Sequence, residues 1–434
     1  MTPFGPETGN RGSDVMGETK NTGLMLSPYT VLDLTDEIGC LCAKILADLG
    51  CDVIKIEKPG GSPARNIGPF YHDIPDSEKS LFWLAYNTNK RGITLDIETA
   101  DGQRLFKRLA EHADFVVESF SPGCLEKLDL GYSALSSLNP RIILTSITPF
   151  GQTGPYRDYQ SCDLVNMALG SPMYVTGDPD RPPVRISLPQ AHLHAGAQAA
   201  AASLIAHYHR EMTGEGQWVD VSIHESLIMT TLWLQECWDT NKQVIRRAGI
   251  SQQRPGSGIS SQVTWRCKDG WISWLVLGGV AAHFARKLSE WAESEGHGDD
   301  FLRKIDWDNF DISRETQESQ DRIADAMRRF FMVHTKTELY QGALERGIPL
   351  YPISKIEDVF SNPQLGARRY WTELQHEELG TSITYPGAFV TTSGVPCQPR
   401  NRAPLVGEHN EEVYCSKLGL TEKDLINLKQ ATII

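Results

Sequence analysis

From Val31 to Thr148, short β-branched runs alternate with helical patterns, and this alternation constrains the fold more than any other feature of the chain. The runs occupy residues 31–35, 52–57, 92–97, 114–118 and 142–148, while helical spacing fills 42–49 and 100–113 between them. Strands separated by helices cannot pair as hairpins, so the pattern implies an α/β fold with a parallel, doubly wound sheet. Gly50 stands where the helix at 42–49 needs a left-handed residue to end. Pro59-Gly60-Gly61 breaks the chain just past the carboxyl end of the second strand. Open α/β sheets bind ligands along that edge, so this loop is the first candidate for a ligand-facing position.

Residues 191–212 are Ala-rich and read as one closely packed helix, ended by Thr213-Gly214-Glu215-Gly216 and followed by a strand at 217–222. The texture then changes. A long helix starts near His224, a Gly/Ser-rich segment covers 255–261, and Asp269-Gly270 sits at the centre of a hairpin pattern between Trp265 and Ile272. These features divide the chain into a tail at 1–24, expected to be disordered because it has almost nothing to bury, and three further parts. They are the first part of a large domain at 25–222, a smaller α+β domain with linkers at 223–336, and a return to the large domain at 337–434. Trp233, Trp238, Trp271 and Trp274 are expected to pack in a core.

Composition excludes several classes of function. The formal net charge is −13 over 434 residues, which argues against nucleic acid or anionic membrane as partner. An anionic ligand must therefore meet a local basic patch. No apolar run reaches the roughly 18 to 20 residues of a membrane span, and the opening residues lack the order of a signal peptide, so a cytoplasmic protein is expected. The 9 cysteines are scattered, and Cys40-x-Cys42 is too close for a zinc pair, so reduced thiols are expected. His192, His194, His207 and His209 crowd one helical stretch with no carboxylate or cysteine at ligand spacing, which leaves no metal expected. Neither a P-loop, nor a dinucleotide fingerprint, nor a His-Glu-x-x-His helix is present.

Other segments gain weight from their order. The series opens with Val31-Leu32-Asp33-Leu34, Leu46-Ala47-Asp48-Leu49-Gly50, and Val53-Ile54-Lys55-Ile56-Glu57-Lys58-Pro59-Gly60. Asn87-Thr88-Asn89-Lys90-Arg91, Thr94-Leu95-Asp96, Val117-Glu118-Ser119-Phe120-Ser121-Pro122-Gly123 and Phe150-Gly151-Gln152-Thr153-Gly154-Pro155-Tyr156 follow. Thr213-Gly214-Glu215-Gly216-Gln217, Arg346-Gly347-Ile348-Pro349, Asn362-Pro363-Gln364-Leu365 and Ala403-Pro404-Leu405-Val406-Gly407-Glu408-His409 complete it. In this order and spacing they resemble the class III, CaiB/BaiF-type, coenzyme A transferase family over nearly the whole chain.

The resemblance implies a Rossmann-like large domain built from both ends of the chain, a small domain between them, and two chains interlocked as rings. It also implies a coenzyme A thioester as substrate, with no covalently bound cofactor. That ligand carries several phosphate charges, so an acidic protein must gather cations locally to hold it. Lys58 and Lys127 stand where the formyl-CoA transferase pattern has coenzyme-binding arginines, and Lys90 and Arg91 before the third strand offer further cations. The segments at 95–98 and 119–122 match other coenzyme contacts of the pattern, making Leu95, Asp96, Ser119 and Phe120 expected contacts.

The mechanism that the resemblance implies needs a carboxylate nucleophile. It attacks the donor thioester to give a mixed anhydride and free thiolate, and the thiolate then attacks the anhydride to leave an enzyme thioester; the acceptor acid repeats these steps in reverse. In the family this Asp sits four residues before the Gly that opens the small-residue helix. Here that Gly is Gly196, the nucleophile position holds His192, and no Asp or Glu occurs from Ile186 to His209. An imidazole cannot run this relay, so no catalytic residue is expected on the chain itself. The family's Ala-Gly-Pro turn after the first strand is also replaced, by Ile38-Gly39-Cys40-Leu41.

Some members of the family pair two related chains of which one supplies the Asp, benzylsuccinate CoA-transferase of anaerobic toluene breakdown among them. The sequence is accordingly read as the Asp-lacking subunit of a hetero-oligomer, moving coenzyme A from a donor such as succinyl-CoA to a small carboxylic acid with an Asp-bearing homologue as partner. Three other readings stay open. One is a 2-methylacyl-CoA racemase-like enzyme, although Cys162 occupies the place of the His that precedes the Asp matching Asp163. Another is a thioester-binding or scaffold protein without chemistry. The last keeps activity on this chain, with Asp163 or Asp178 recruited as nucleophile.

Overall fold

The computed structural model describes residues 23–253 and 258–434. The expected tail therefore lies almost wholly outside the described residues, as do residues 254–257 of the Gly/Ser-rich segment. Six strands form one parallel sheet: β1 (Thr30–Leu34), β2 (Asp52–Glu57), β3 (Lys90–Thr94), β4 (Phe115–Glu118), β5 (Ile143–Thr148) and β6 (Trp218–Ser222). Their order, β3-β2-β1-β4-β5-β6, is that of a Rossmann-like doubly wound sheet, with the direction of winding reversing between β1 and β4. The expected α/β class stands.

Both faces of the sheet are covered, which is why its strands read as apolar runs rather than alternating ones. On one face Leu32, Ile54, Ile93, Val116 and Leu144 meet Phe106 and Tyr414. On the other, Val31, Val53, Phe115 and Ile143 meet the first helix, Cys40–Asp48, and the long helix, Ala191–Thr213. Gly196 explains the small-residue character of the long helix: a Cβ there would stand 3.0 Å from Leu41 Cβ and 3.3 Å from the Cys42 nitrogen. The two helices lie too close at that point for a larger residue.

The third strand differs from its expected span of 92–97. It starts at Lys90 and ends at Thr94, because the Asp96 N–H turns away to the Ile433 carbonyl. The chain's last part closes this edge of the sheet. His409 and Gly92 bond in both directions, and the Tyr414 hydroxyl donates to the Thr94 carbonyl at 2.7 Å.

A second core gathers residues from Trp265 to Leu350 around the antiparallel pair Thr264–Cys267 and Gly270–Ser273, with Tyr351–Pro352 as a third strand. It reaches past the expected boundary at 336, since the helix Lys336–Arg346 packs Leu339 and Ala343 into it. The expected long helix from His224 is interrupted, as Ile223–Ile228, a single tight turn, and Leu232–Asn241. The tryptophan expectation holds only for Trp274, which lies in the second core. Trp233 and Trp238 are exposed on Leu232–Asn241, a helix with no buried residue, and Trp271 points outward from its hairpin.

Candidate active site

A helix that follows a parallel strand starts at the carboxyl edge of the sheet, and so does a helix that precedes the next one. The first helix and the long helix therefore both begin at this edge, beside the switch point. Gly39 caps the first helix in a left-handed conformation, φ 86°, and a Cβ there would stand 2.8 Å from Ile147 Cδ1 and 3.0 Å from Thr35 Cγ2. Only glycine satisfies both the backbone and the space. Across the switch point the Ser119 hydroxyl lies 3.3 Å from Asp36 Oδ1 and accepts the Asp36 N–H.

His192 lies in the first turn of the long helix, 7% exposed, with its Nε2 buried and unpartnered. The neighbouring charge comes from Asp163, whose Oδ1 accepts the N–H groups of Gln190 and Ala191 at 2.7 and 2.8 Å. It thus caps the long helix from outside, satisfying donors that the helix cannot satisfy itself. The second oxygen of Asp163, and the side-chain oxygen of Asn166 one turn on, are also buried and unpartnered. Asp163 is thus the carboxylate at the start of the long helix, next to His192. Asp178 is engaged elsewhere, in an exposed loop with Arg181 at 3.8 Å and the Arg247 guanidinium on its carbonyl.

The expected coenzyme contacts separate into two groups. Lys58 follows β2 at the carboxyl edge, is exposed, and pairs with Glu98 at 2.8 Å, a bond that raises its pKa. Asp96 acts on Lys58 from the same side, and Lys127, Glu98 and Glu126 act on the Cys124 thiol between them. Of the other expected contacts, Leu95 is buried in the core, and Ser119 and Phe120, just past β4, are half-buried. Here Lys58, Lys127, Asp96, Glu98 and Glu126 share one neighbourhood, so the lysines are partly answered already.

Lys90 and Arg91 belong elsewhere, and their assignment as coenzyme contacts is corrected. They start β3, at the amino edge. Arg91 makes a two-pronged pair with Asp52 at 2.9 and 2.6 Å and also binds Glu412. Lys90 is buried beneath the first helix, where its amine bonds Asp33 Oδ2 at 2.8 Å, Asn87 Oδ1 at 2.9 Å and the Cys40 carbonyl at 3.2 Å. These bonds use all three of its N–H donors. Lys55 bonds the same Asp33 and the Thr35 carbonyl. Burial alone would raise the Asp33 carboxyl, yet Lys55 and Lys90 hold it down at about 2. The Pro59-Gly60-Gly61 loop is likewise tied down: Arg65 grips Glu57 at 2.6 and 2.8 Å and reaches the Pro404 carbonyl, and a Cβ on Gly61 would press on Arg65 and Val406.

Sequence reasoning passed over Glu118, the last residue of β4. It is buried, and burial pushes its carboxyl up to about 7. The signal was present as an acid closing an apolar strand immediately before Ser119-Phe120. Among the described residues no group of three or more His, Cys, Asp or Glu side chains converges as a metal would require, and no helix is long and apolar enough to cross a membrane.

Comparison with known proteins meets this geometry. The chain is 35% identical to subunit BbsE of succinyl-CoA:(R)-benzylsuccinate CoA-transferase from Thauera aromatica, covering 90% of this chain and 94% of that one. It is 30% identical to the succinyl-CoA–L-malate CoA-transferase beta subunit of Chloroflexus aurantiacus, covering 95% and 99%. Among solved structures, a CAIB/BAIF family protein from Brucella suis superposes with a TM-score of 0.77 at 26% identity, over 91% of this chain and 100% of that one. The profile of CoA-transferase family III matches residues 26–410, and the chain belongs to that family.

Proposed function

We propose that this chain is one subunit of a hetero-oligomeric CoA-transferase, in which it shapes a coenzyme A thioester site while a homologous chain supplies the nucleophilic Asp. The observation that carries this reading is His192. It occupies the first turn of the long helix at the edge where the family's chemistry takes place, and no carboxylate replaces it on that helix before Glu211. Asp163, the acid beside it, already spends one oxygen on the helix cap. Both relatives named above are themselves subunits, and both take succinyl-CoA in their names. This supports succinyl-CoA as donor, and (R)-benzylsuccinate is the acceptor put forward by the first of them.

An interlocked partner chain agrees with the apolar surface left open. Leu232–Asn241 buries none of its residues, and Trp233 and Trp238 stand exposed there, with Ile205, Tyr208 and Met212 exposed on the long helix. Between the first helix and the long helix lies a cavity of about 580 Å³, lined by Leu41, Ile45, Ala197, Ala201, Leu204 and Phe389 among others. A covering element from another chain would meet the long helix from Ala197 onward, five residues past His192. All nine cysteines are free thiols, which suits the reducing cytoplasm.

The test is CoA transfer from succinyl-CoA to a panel of dicarboxylic acids that includes benzylsuccinate, run on this chain alone and on the chain coexpressed with an Asp-bearing family member. Activity only in the mixture is the expected result. Robust activity of the lone chain, surviving His192→Ala, overturns the reading.

A further inference from the structure

Glu118 ends β4 on the sheet face opposite the long helix. It stands in register with Ser146 on β5, which stands in register with Asp220 on β6. One of its oxygens accepts the Phe120 N–H at 2.7 Å, so this side chain sets the direction in which the backbone leaves the strand. The turn it aims carries Ser119, which closes the switch point against Asp36, and Phe120. The charges facing Glu118 are Glu126 on the short helix Cys124–Lys127 and Asp220 on β6, and the Cys124 thiol feels it from the same helix. Burial raises the carboxyl to about 7 against the Ser146 hydroxyl and the Phe120 N–H, and the two acids add to the rise. A carboxyl group desolvated among acids is most costly when ionised, and a ligand bearing phosphates adds to that cost.

We propose that Glu118 is a positioning residue that couples the binding of coenzyme A at the switch-point crevice to uptake of one proton by its own carboxyl group. This rests on the reading of that crevice as a coenzyme A site. The neutral acid keeps one oxygen for the Phe120 N–H and holds the turn. The ionised form holds the same turn but lays a negative charge beside a polyanion. The proton enters from solvent when the ligand binds and returns when it leaves, and no covalent bond changes.

The experiment is calorimetric titration of the full chain, in the assembly it forms, with free coenzyme A at several pH values and in buffers of differing ionisation enthalpy. Glu118→Gln keeps an acceptor for Phe120 and cannot titrate, so it controls for the ligand's own phosphate. From about pH 6 to about pH 8.5 the unmodified chain is expected to lose roughly tenfold more affinity than the variant, the scale of one charge acting across a partly screened crevice. It is also expected to take up more protons on binding near neutral pH. A merely structural role would weaken binding equally at every pH and leave the proton count alone. Ser146→Ala removes a hydroxyl that favours the ionised form, so it should move the midpoint to higher pH, and it provides an independent reading should Glu118→Gln fold poorly. Equal slopes and equal proton counts in all three proteins overturn the inference while the coenzyme site stands. Absence of binding by all of them at every pH overturns the coenzyme reading and this inference with it.

Discussion

Lys55 and Lys58 lie three residues apart in one motif, and the fold uses them in opposite ways. Lys55 sits inside β2 and points under the first helix, where it and Lys90 share Asp33 with no exposure to water. Lys58 lies one residue past the strand and pairs with Glu98 on the surface, at 58% side-chain exposure. Strand register makes the difference, because side chains alternate between faces within β2 and leave the sheet once it ends. Two cations on one buried carboxylate form a structural knot. A lone surface pair contributes little to stability and can be exchanged for a ligand's phosphate.

The knot should break hardest at its centre. Asp33→Asn keeps the shape and removes the charge, leaving two buried amines unpaired; we expect a loss of about 3 to 5 kcal/mol in urea unfolding. An unchanged midpoint would show that the knot carries no more weight than a surface pair. Acid gives a second measure on the unmodified chain. The folded Asp33 carboxyl lies at about 2 against an ordinary value of 3.8, so its contribution is complete above the higher value and is lost as pH falls through the lower. That contribution is roughly 2 kcal/mol, read as unfolding free energy against pH and absent from the Asp33→Asn profile.

Much of this contrast was open to sequence reasoning, and part of it was closed for physical reasons. The span of β2 was legible residue for residue, because Asp52 and Glu57 bracket a β-branched run broken only by Lys55. The long helix was legible too, expected at 191–212 and found at Ala191–Thr213 with His192 in its first turn. The fates of Lys90 and Arg91 were misread: residues before a parallel strand stand at its amino edge, away from the ligand-binding one, and their partners Asp33 and Asp52 are distant in sequence. The tryptophans misled as well, since bulk alone does not tell a core residue from an exposed one such as Trp233, Trp238 or Trp271. Glu118 was passed over because its neighbours across the sheet, Ser146 and beyond it Asp220, lie far along the chain.

Lys90→Met sharpens the comparison within the knot. It removes one of two cations and three hydrogen bonds, but leaves Asp33 with Lys55 at 3.4 Å. The excess buried charge goes as well, which offsets part of the loss. A destabilisation of about 1 to 2 kcal/mol is expected, smaller than for Asp33→Asn, and the ranking of the two midpoints in one denaturant series checks it. A larger loss for Lys90→Met would place the weight of the knot on the lysine and not on the shared carboxylate.

Lys58→Ala carries the smallest stability effect and the most information about the surface pair. Its bond to Glu98 is solvent-exposed on both sides, so removing it should change the unfolding free energy by no more than about 0.5 kcal/mol. The functional effect has the opposite emphasis. With Lys58 gone, Glu98 and Asp96 face the crevice unanswered, and free coenzyme A should bind several-fold more weakly, about the worth of one screened phosphate contact. Added salt should shrink that difference, because the contact is exposed, whereas it should leave the Asp33→Asn destabilisation almost untouched. Equal affinity for coenzyme A before and after the substitution, at low salt, would remove Lys58 from the site and leave it a surface lysine paired with a glutamate.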